Sequence, residues 1–283
     1  MLMAKGASEM EWKILALDLD GTVMAEGERI SPRVLESLRM AERCGVHVVL
    51  ATGRGDGPAL RYAAKLGLTT PVICYHGAMI CDPWTGHAIH EELMPTELAA
   101  QVVAWGQVHD RHLLLFADSQ LWMREMRYPQ EVYDRWMGLP LREMPILEQA
   151  LRAGEIRRVH KLIDLIPESE SETPSLASTW RAAFGHLLQV MRSHPRFIEL
   201  TPLHASKGRA LAWLAQMWGI SQAQVIAVGD AENDLSMIEW AGLGVAMGQA
   251  AAHVRAAADW VAPSVEEDGV AEVIRRFILN GRA

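Results

Sequence analysis

Two four-residue runs, Ile14-Leu15-Ala16-Leu17 and Val225-Ile226-Ala227-Val228, are apolar at every position, and each gives way to an acidic turn. A strand with one wet face alternates polar and apolar residues. A run with no polar member belongs in a sheet covered on both faces, and such sheets are parallel and packed between helices. The segment after the first run fits that plan. Ser31-Pro32 reads as an N-cap followed by proline at the first helical position, Val34, Leu35, Leu38 and Ala41 share one helical face, and Gly45 ends the helix. A strand at 46–50, a helix at 60–66 closed by Gly67 and a strand at 72–75 continue the βα rhythm. All three strands are expected in one parallel sheet.

From about residue 78 the pattern changes. Apolar segments at 78–81 and 87–93 flank the turn Asp82-Pro83-Trp84-Thr85-Gly86, and segments at 113–116 and 121–124 flank Ala117-Asp118-Ser119-Gln120. A helix at 96–108, a strand at 159–166, a helix at 176–184 and a strand at 187–191 follow, with a solvated Ser/Glu-rich loop at 167–174. This is the pattern of a separate α+β unit with a small antiparallel sheet. After residue 197 the βα rhythm returns. The expected architecture is an α/β core (1–82 and 196–283) with parallel sheet and helices on both faces, interrupted by an inserted domain (83–195).

Composition excludes several functions. Apolar residues make up 50% of the 283-residue chain, yet no apolar run approaches the ~20 residues of a membrane span. Lys and Arg number 27 against 35 Asp and Glu, a net charge of −8 with no basic stripe, so no nucleic-acid partner is expected. Cys44, Cys74 and Cys81 form no C-x-x-C pair and are read as reduced and mostly buried. With no signal-type apolar stretch in residues 1–12, the expected location is cytoplasmic. Nothing in the sequence sets an oligomeric state.

The chemistry lies in the two acidic turns, Asp18-Leu-Asp20-Gly-Thr22-Val and Gly229-Asp230-Ala-Glu-Asn233-Asp234. In an open parallel sheet, ligands bind beyond the carboxyl ends of the strands. Carboxylates delivered there by two strands repel one another, and a hard cation with oxygen ligands offsets them. Magnesium, which keeps several waters and needs few carboxylates, is the best match. One acid after a strand is more often a turn former or helix cap. Asn233 and Asp234 therefore also read as caps for the helix carrying Leu235, Met237 and Ile238.

The Asp18–Val23 segment resembles the first signature of the haloacid dehalogenase superfamily of phosphatases. Ala51-Thr52-Gly53-Arg54 resembles the second, Ser206-Lys207-Gly208 the third and Gly229–Asp234 the fourth, all in the family's order. An insert between the second and third is the arrangement of the Cof-type branch, with its large α/β cap. The resemblance implies a Rossmann-like core and a magnesium-dependent phosphatase acting on small phosphorylated metabolites, sugar phosphates by default. Asp18 would be the nucleophile and Asp20 the general acid, then base. Thr52 and Lys207 would complete the catalytic set, with Thr22, Thr52, Gly53, Lys207 and Asn233 holding phosphate. Asp18, Asp20 (through its carbonyl), Asp230 and Asp234 would hold the metal.

His76 precedes Gly77 where relatives usually carry Asn, and it borders the expected site. With Arg192 and His194 it forms the set of candidate substrate contacts. Two alternatives stay open: a sugar phosphomutase of the same fold, and a non-catalytic phospholigand-binding regulator. His87, His90, His109 and His112 are expected in surface or hairpin roles, and Trp105, Trp213 and Trp218 in packing.

Overall fold

The computed structural model describes residues 11–167 and 175–280, so most of the loop at 167–174 lies outside the described residues. The chain folds as two compact units, one made of the described residues up to Ala51 and from Leu211 onward, the other of Thr52–Ala210.

The first unit is built on a five-stranded parallel sheet, in the order Trp260–Val261, Leu243–Ala246, Val225–Gly229, Ile14–Leu17 and His47–Leu50. All four residues of Ile14–Leu17 are buried, as the absence of a polar member demands. This strand lies inside the sheet, next to its edge, and pairs with Val225–Gly229 on one side and His47–Leu50 on the other. One neighbour follows it directly in the chain and the other comes from the far end of the sequence, so the strand order reverses here and the carboxyl end of Ile14–Leu17 is a topological switch point. The Pro32–Arg43 helix starts where expected, with the Ser31 hydroxyl accepting the Arg33 N–H at 3.1 Å.

The second unit holds two sheets. Val72–Cys74, expected in the parallel sheet, instead pairs antiparallel with Met79–Cys81, which pairs in turn with Ala88–Glu91. The cause is the tight turn at Tyr75–Gly77, with Tyr75 and His76 both at positive φ (51° and 57°), which sends the chain straight back along the strand it has just left. The sulfurs of Cys74 and Cys81 lie 3.4 Å apart across this pair as free thiols.

The larger sheet has six strands in the order Leu188–His194, Phe197–Pro202, Val159–Leu165, Leu113–Ala117, Gln120–Met123 and Leu141–Glu143. It is mixed, since the last two run parallel. The expected return to the core at residue 196 falls inside its first hairpin: Phe197–Pro202 pairs with both Leu188–His194 and Val159–Leu165. Buried residues of the helices Thr96–Val108, Leu147–Ala153 and Ser175–Phe184 pack with the sheet into one apolar core that includes Trp180 and Leu200. His112 departs from its expected surface role, being 6% exposed. No helix among the described residues is long and apolar enough to cross a membrane.

Candidate active site

In the parallel-sheet unit, Asp18 follows the last residue of Ile14–Leu17 and donates its backbone N–H to the Val228 carbonyl at 3.0 Å. That bond ties the first acidic turn to the strand leading into the second. Asp18, Asp230 and Asp234 each offer a carboxylate oxygen, and these atoms lie within 4.8 Å of one another. Asp18 and Asp234 are buried, at 5% and 0% exposure. The donors are all carboxylate oxygens, with neither sulfur nor imidazole among them. That set fits a hard divalent cation, which would offset the mutual repulsion of the carboxylates.

Two features hold the cluster. Gly21 sits at φ +84°, and a Cβ there would come within 2.4 Å of Asp230 Oδ2, so glycine is required by backbone and neighbour alike. Thr22, a candidate phosphate ligand, donates its hydroxyl to Asp230 Oδ1 at 3.2 Å. Asp234 makes no side-chain cap bond to the Leu235–Trp240 helix; it caps the short turn Glu232–Asp234 that leads into it, accepting the N–H groups of Asp230 and Ala231. Asn233 is half-buried beside it, and Asp20, unlike Asp18, is exposed.

In the second unit, the structure brings together Thr52, Gly53, His76 and Lys207. Thr52 is fully buried; its N–H donates to Ile73 O at 2.8 Å and its carbonyl accepts His76 N–H at 3.1 Å. A Cβ on Gly53 would meet the His76 ring at 2.2 Å. Gly77, at φ +99°, lets the chain approach Ser206 so closely that a Cβ would lie 2.2 Å from its carbonyl oxygen and 3.0 Å from Lys207 N. Lys207 opens the Lys207–Met217 helix and is 0% exposed. A solvated first-turn lysine, the usual fate of such a residue, is excluded, and burying the charge at a helix N-terminus calls for an anion.

His76 is buried, its Nε2 3.0 Å from Glu199 Oε2. Glu199 also accepts from Lys161 Nζ and the Ser193 hydroxyl. Burial alone would raise the Glu199 pKa, but the charge of Lys161 and the bond to His76 override it and hold the carboxyl well below the usual carboxylate range. His76 is pushed down, by burial first, with Lys161 and Lys207 adding to it against the pull of Glu199. Glu199 therefore has no proton to give, and His76 Nε2 carries the hydrogen between them. Arg192 and His194 lie at the end of the Leu188–His194 strand, where Arg192 donates to Pro195 O at 2.7 Å and His194 Nδ1 accepts Arg196 N–H at 3.1 Å. These bonds serve the hairpin turn.

Lys161 and Glu199 were not singled out from sequence. Their signal is a charge inside a strand beside apolar residues, Lys161 before Leu162-Ile163 and Glu199 between Ile198 and Leu200.

Residues 15–274 match the family described as haloacid dehalogenase-like hydrolase. The chain is 30% identical over 287 residues to phosphatase YwpJ of Bacillus subtilis (strain 168), covering 94% of this chain and 100% of that protein. It is 28% identical over 280 residues to 5-amino-6-(5-phospho-D-ribitylamino)uracil phosphatase YcsE of the same organism, covering 98% and 100%. Among solved structures, it is similar to a haloacid dehalogenase-like hydrolase from Bacteroides thetaiotaomicron, with TM-score 0.81 and 29% identity over 94% of this chain and 99% of that one.

Proposed function

The chain belongs to the haloacid dehalogenase-like hydrolases and is a phosphatase of the Cof type, and from that premise we propose that it is a magnesium-dependent hydrolase of small phosphorylated metabolites, acting through an aspartyl-phosphate. The observation that carries this reading is the all-oxygen cluster of Asp18, Asp230 and Asp234, two of them buried, at the carboxyl ends of adjacent parallel strands.

In this reading an Asp18 oxygen attacks phosphorus, an acyl-phosphate bond forms and the ester P–O bond breaks. A carboxylate with a reference pKa of about 3.9 needs no base to activate it at neutral pH. Asp20 gives its proton to the departing alkoxide oxygen. It then takes a proton from the water that attacks the same phosphorus, freeing inorganic phosphate and restoring Asp18. The exposure of Asp20 suits a group that exchanges protons with substrate and water. Thr52 donates its hydroxyl to a phosphoryl oxygen, Gly53 and Asn233 assist, and Lys207 supplies fixed positive charge. Asp18, Asp230 and Asp234 would hold magnesium, with the Asp20 carbonyl contributing. Bound there, it offsets the carboxylates and stabilises charge on the transferring phosphoryl group.

The inserted domain (83–195) is read as the cap that selects the rest of the substrate, with Arg192 and His194 as its candidate contacts and His76, from the 1–82 segment, as a further one. Sugar phosphates are the default class. The phosphorylated ribityl chain in the name of the YcsE substrate is of this polyhydroxylated kind. The test is release of inorganic phosphate from an aryl phosphate and a panel of sugar and polyol phosphates, with and without a chelator. Asp18→Asn should lose activity entirely; unchanged hydrolysis in that variant overturns the covalent mechanism. Interconversion of isomers without phosphate release would make the protein a mutase instead.

A further inference from the structure

The carbonyls of Thr52, Gly53 and Arg54 are all engaged: Thr52 O accepts His76 N–H at 3.1 Å, Gly53 O accepts Lys161 Nζ at 2.9 Å, and Arg54 O accepts Tyr75 N–H at 2.9 Å. Backbone groups supply two of these bonds. Lys161 is the one side chain among the three donors, and it reaches the loop from the middle of the Val159–Leu165 strand. The peptides here are trans, so the N–H of each peptide unit points opposite to its carbonyl. Fixing the Gly53 carbonyl therefore fixes the Arg54 N–H, and that N–H donates to Thr52 Oγ1 at 3.1 Å. A continuous hydrogen-bonded path results: Lys161 ammonium, Gly53 carbonyl, Arg54 amide, Thr52 hydroxyl.

We propose that Lys161 is a positioning residue for phosphoryl binding, acting on the Thr52 hydroxyl through the Gly53–Arg54 peptide unit. The inference rests on the reading that Thr52 donates to a phosphoryl oxygen. A cation on the carbonyl end of an amide polarises its N–H, and chains of such bonds strengthen one another at low dielectric. The Thr52 oxygen, occupied as an acceptor, keeps its hydrogen for a bond outward, and that hydrogen becomes the more acidic. Lys161 is itself held. It is 3% exposed, its ammonium lies 4.8 Å above the Phe116 ring, and it shares the Glu199 carboxylate with His76 and Ser193. Glu199 keeps Lys161 aimed, and His76 fills the space a Gly53 side chain would need.

The test reads the inhibition constant of inorganic phosphate against hydrolysis of an aryl phosphate. Thr52→Val removes one hydrogen bond to a charged group and should weaken phosphate about ten- to a hundredfold. Lys161→Met should weaken it about five- to tenfold in the native background and in Thr52→Ser, which keeps the hydroxyl, but less than about twofold in Thr52→Val, where the path has no end. If Lys161→Met does not fold, Lys161→Met/Glu199→Leu, which removes both buried charges together, takes its place in the same comparison. Equal losses with and without the Thr52 hydroxyl overturn the inference and leave the role of Thr52 standing. An unchanged constant in Thr52→Val overturns the reading of Thr52 itself, and the inference with it.

Discussion

Asp234 accepts the backbone N–H of Asp230 through Oδ2 at 3.0 Å, and the same oxygen accepts Ala231 N–H at 3.0 Å. A buried carboxylate is stable when N–H groups point at it, and here the two N–H groups belong to the turn that carries a neighbouring carboxylate. Asp234 thus fixes the backbone from which the Asp230 side chain projects, while its own carboxylate lies within the cluster with Asp18.

Asp234→Ala should therefore damage metal binding twice, by removing a charge and by releasing the turn. The expected result is a magnesium requirement raised about 10–100-fold, with about 1–3 kcal/mol of stability lost as the two N–H groups lose their acceptor. Asp234→Asn keeps an acceptor oxygen and should recover most of the stability but not the affinity. Magnesium titration of activity, with thermal denaturation of each variant, separates the two effects; equal recovery of both would show that charge is irrelevant.

Gly21→Ala tests the support on the other side of Asp230. The substitution places a Cβ 2.4 Å from Asp230 Oδ2 and does so at φ +84°. Strain of this kind costs about 1–3 kcal/mol, and the displaced carboxylate should also lose its bond from Thr22. Denaturation should show the stability loss, and the metal titration should shift in the same direction as for Asp234→Ala. A variant with native stability and native magnesium dependence would contradict the close approach.

Local pattern was sufficient wherever burial followed from the residues themselves. Ile14–Leu17 has no polar member and is buried throughout, and the Thr96–Val108 helix has the bounds its periodicity predicts. The acidic turns were legible because carboxylates at strand ends are chemically conspicuous. What escaped notice depends on contacts distant in sequence. Phe197–Pro202 carries Glu199 in a buried position, which Lys161, on another strand, and His76, in a distant turn, make tolerable. His112 looked like a surface histidine because its partner, Tyr133, is 21 positions away. Val72–Cys74 read as a parallel strand until the positive φ angles of Tyr75 and His76 turned the chain back, and nothing in either residue type demands such a turn.

Asp20 should reveal its role by leaving-group dependence. An aryl phosphate expels a stable phenolate and needs no acid, whereas a sugar phosphate expels an alkoxide that does. In Asp20→Asn, aspartyl-phosphate formation from the aryl ester should survive while its hydrolysis slows for want of a base. Rapid mixing should show a burst of about one equivalent of phenol followed by slow turnover, with hydrolysis of a sugar phosphate reduced by about 10²–10⁴-fold. Equal losses on both substrates without a burst would remove Asp20 from the proton transfers.

His112 makes stability depend on pH. The Tyr133 hydroxyl accepts the N–H groups of Arg127 at 2.9 Å and Tyr128 at 3.2 Å, so its own hydrogen goes to His112 Nε2 at 2.7 Å. His112 is then neutral, with its proton on Nδ1, and burial, helped by the charge of Arg127, pushes its pKa down to about 4. Protonation would set two donors facing each other. Because the unfolded histidine takes up its proton near pH 6.5 and the folded one only near 4, the unfolded state binds more protons between those values. The contribution is complete above about pH 6.5 and is lost as pH falls to about 4, a total of about 3 kcal/mol. His112→Gln, whose carbonyl can still accept from Tyr133, has no such proton to gain. Urea denaturation at about pH 7 and about pH 4.5 should show the native protein losing about 2–3 kcal/mol more than the variant over that interval; parallel losses would mean that His112 is not held neutral by Tyr133.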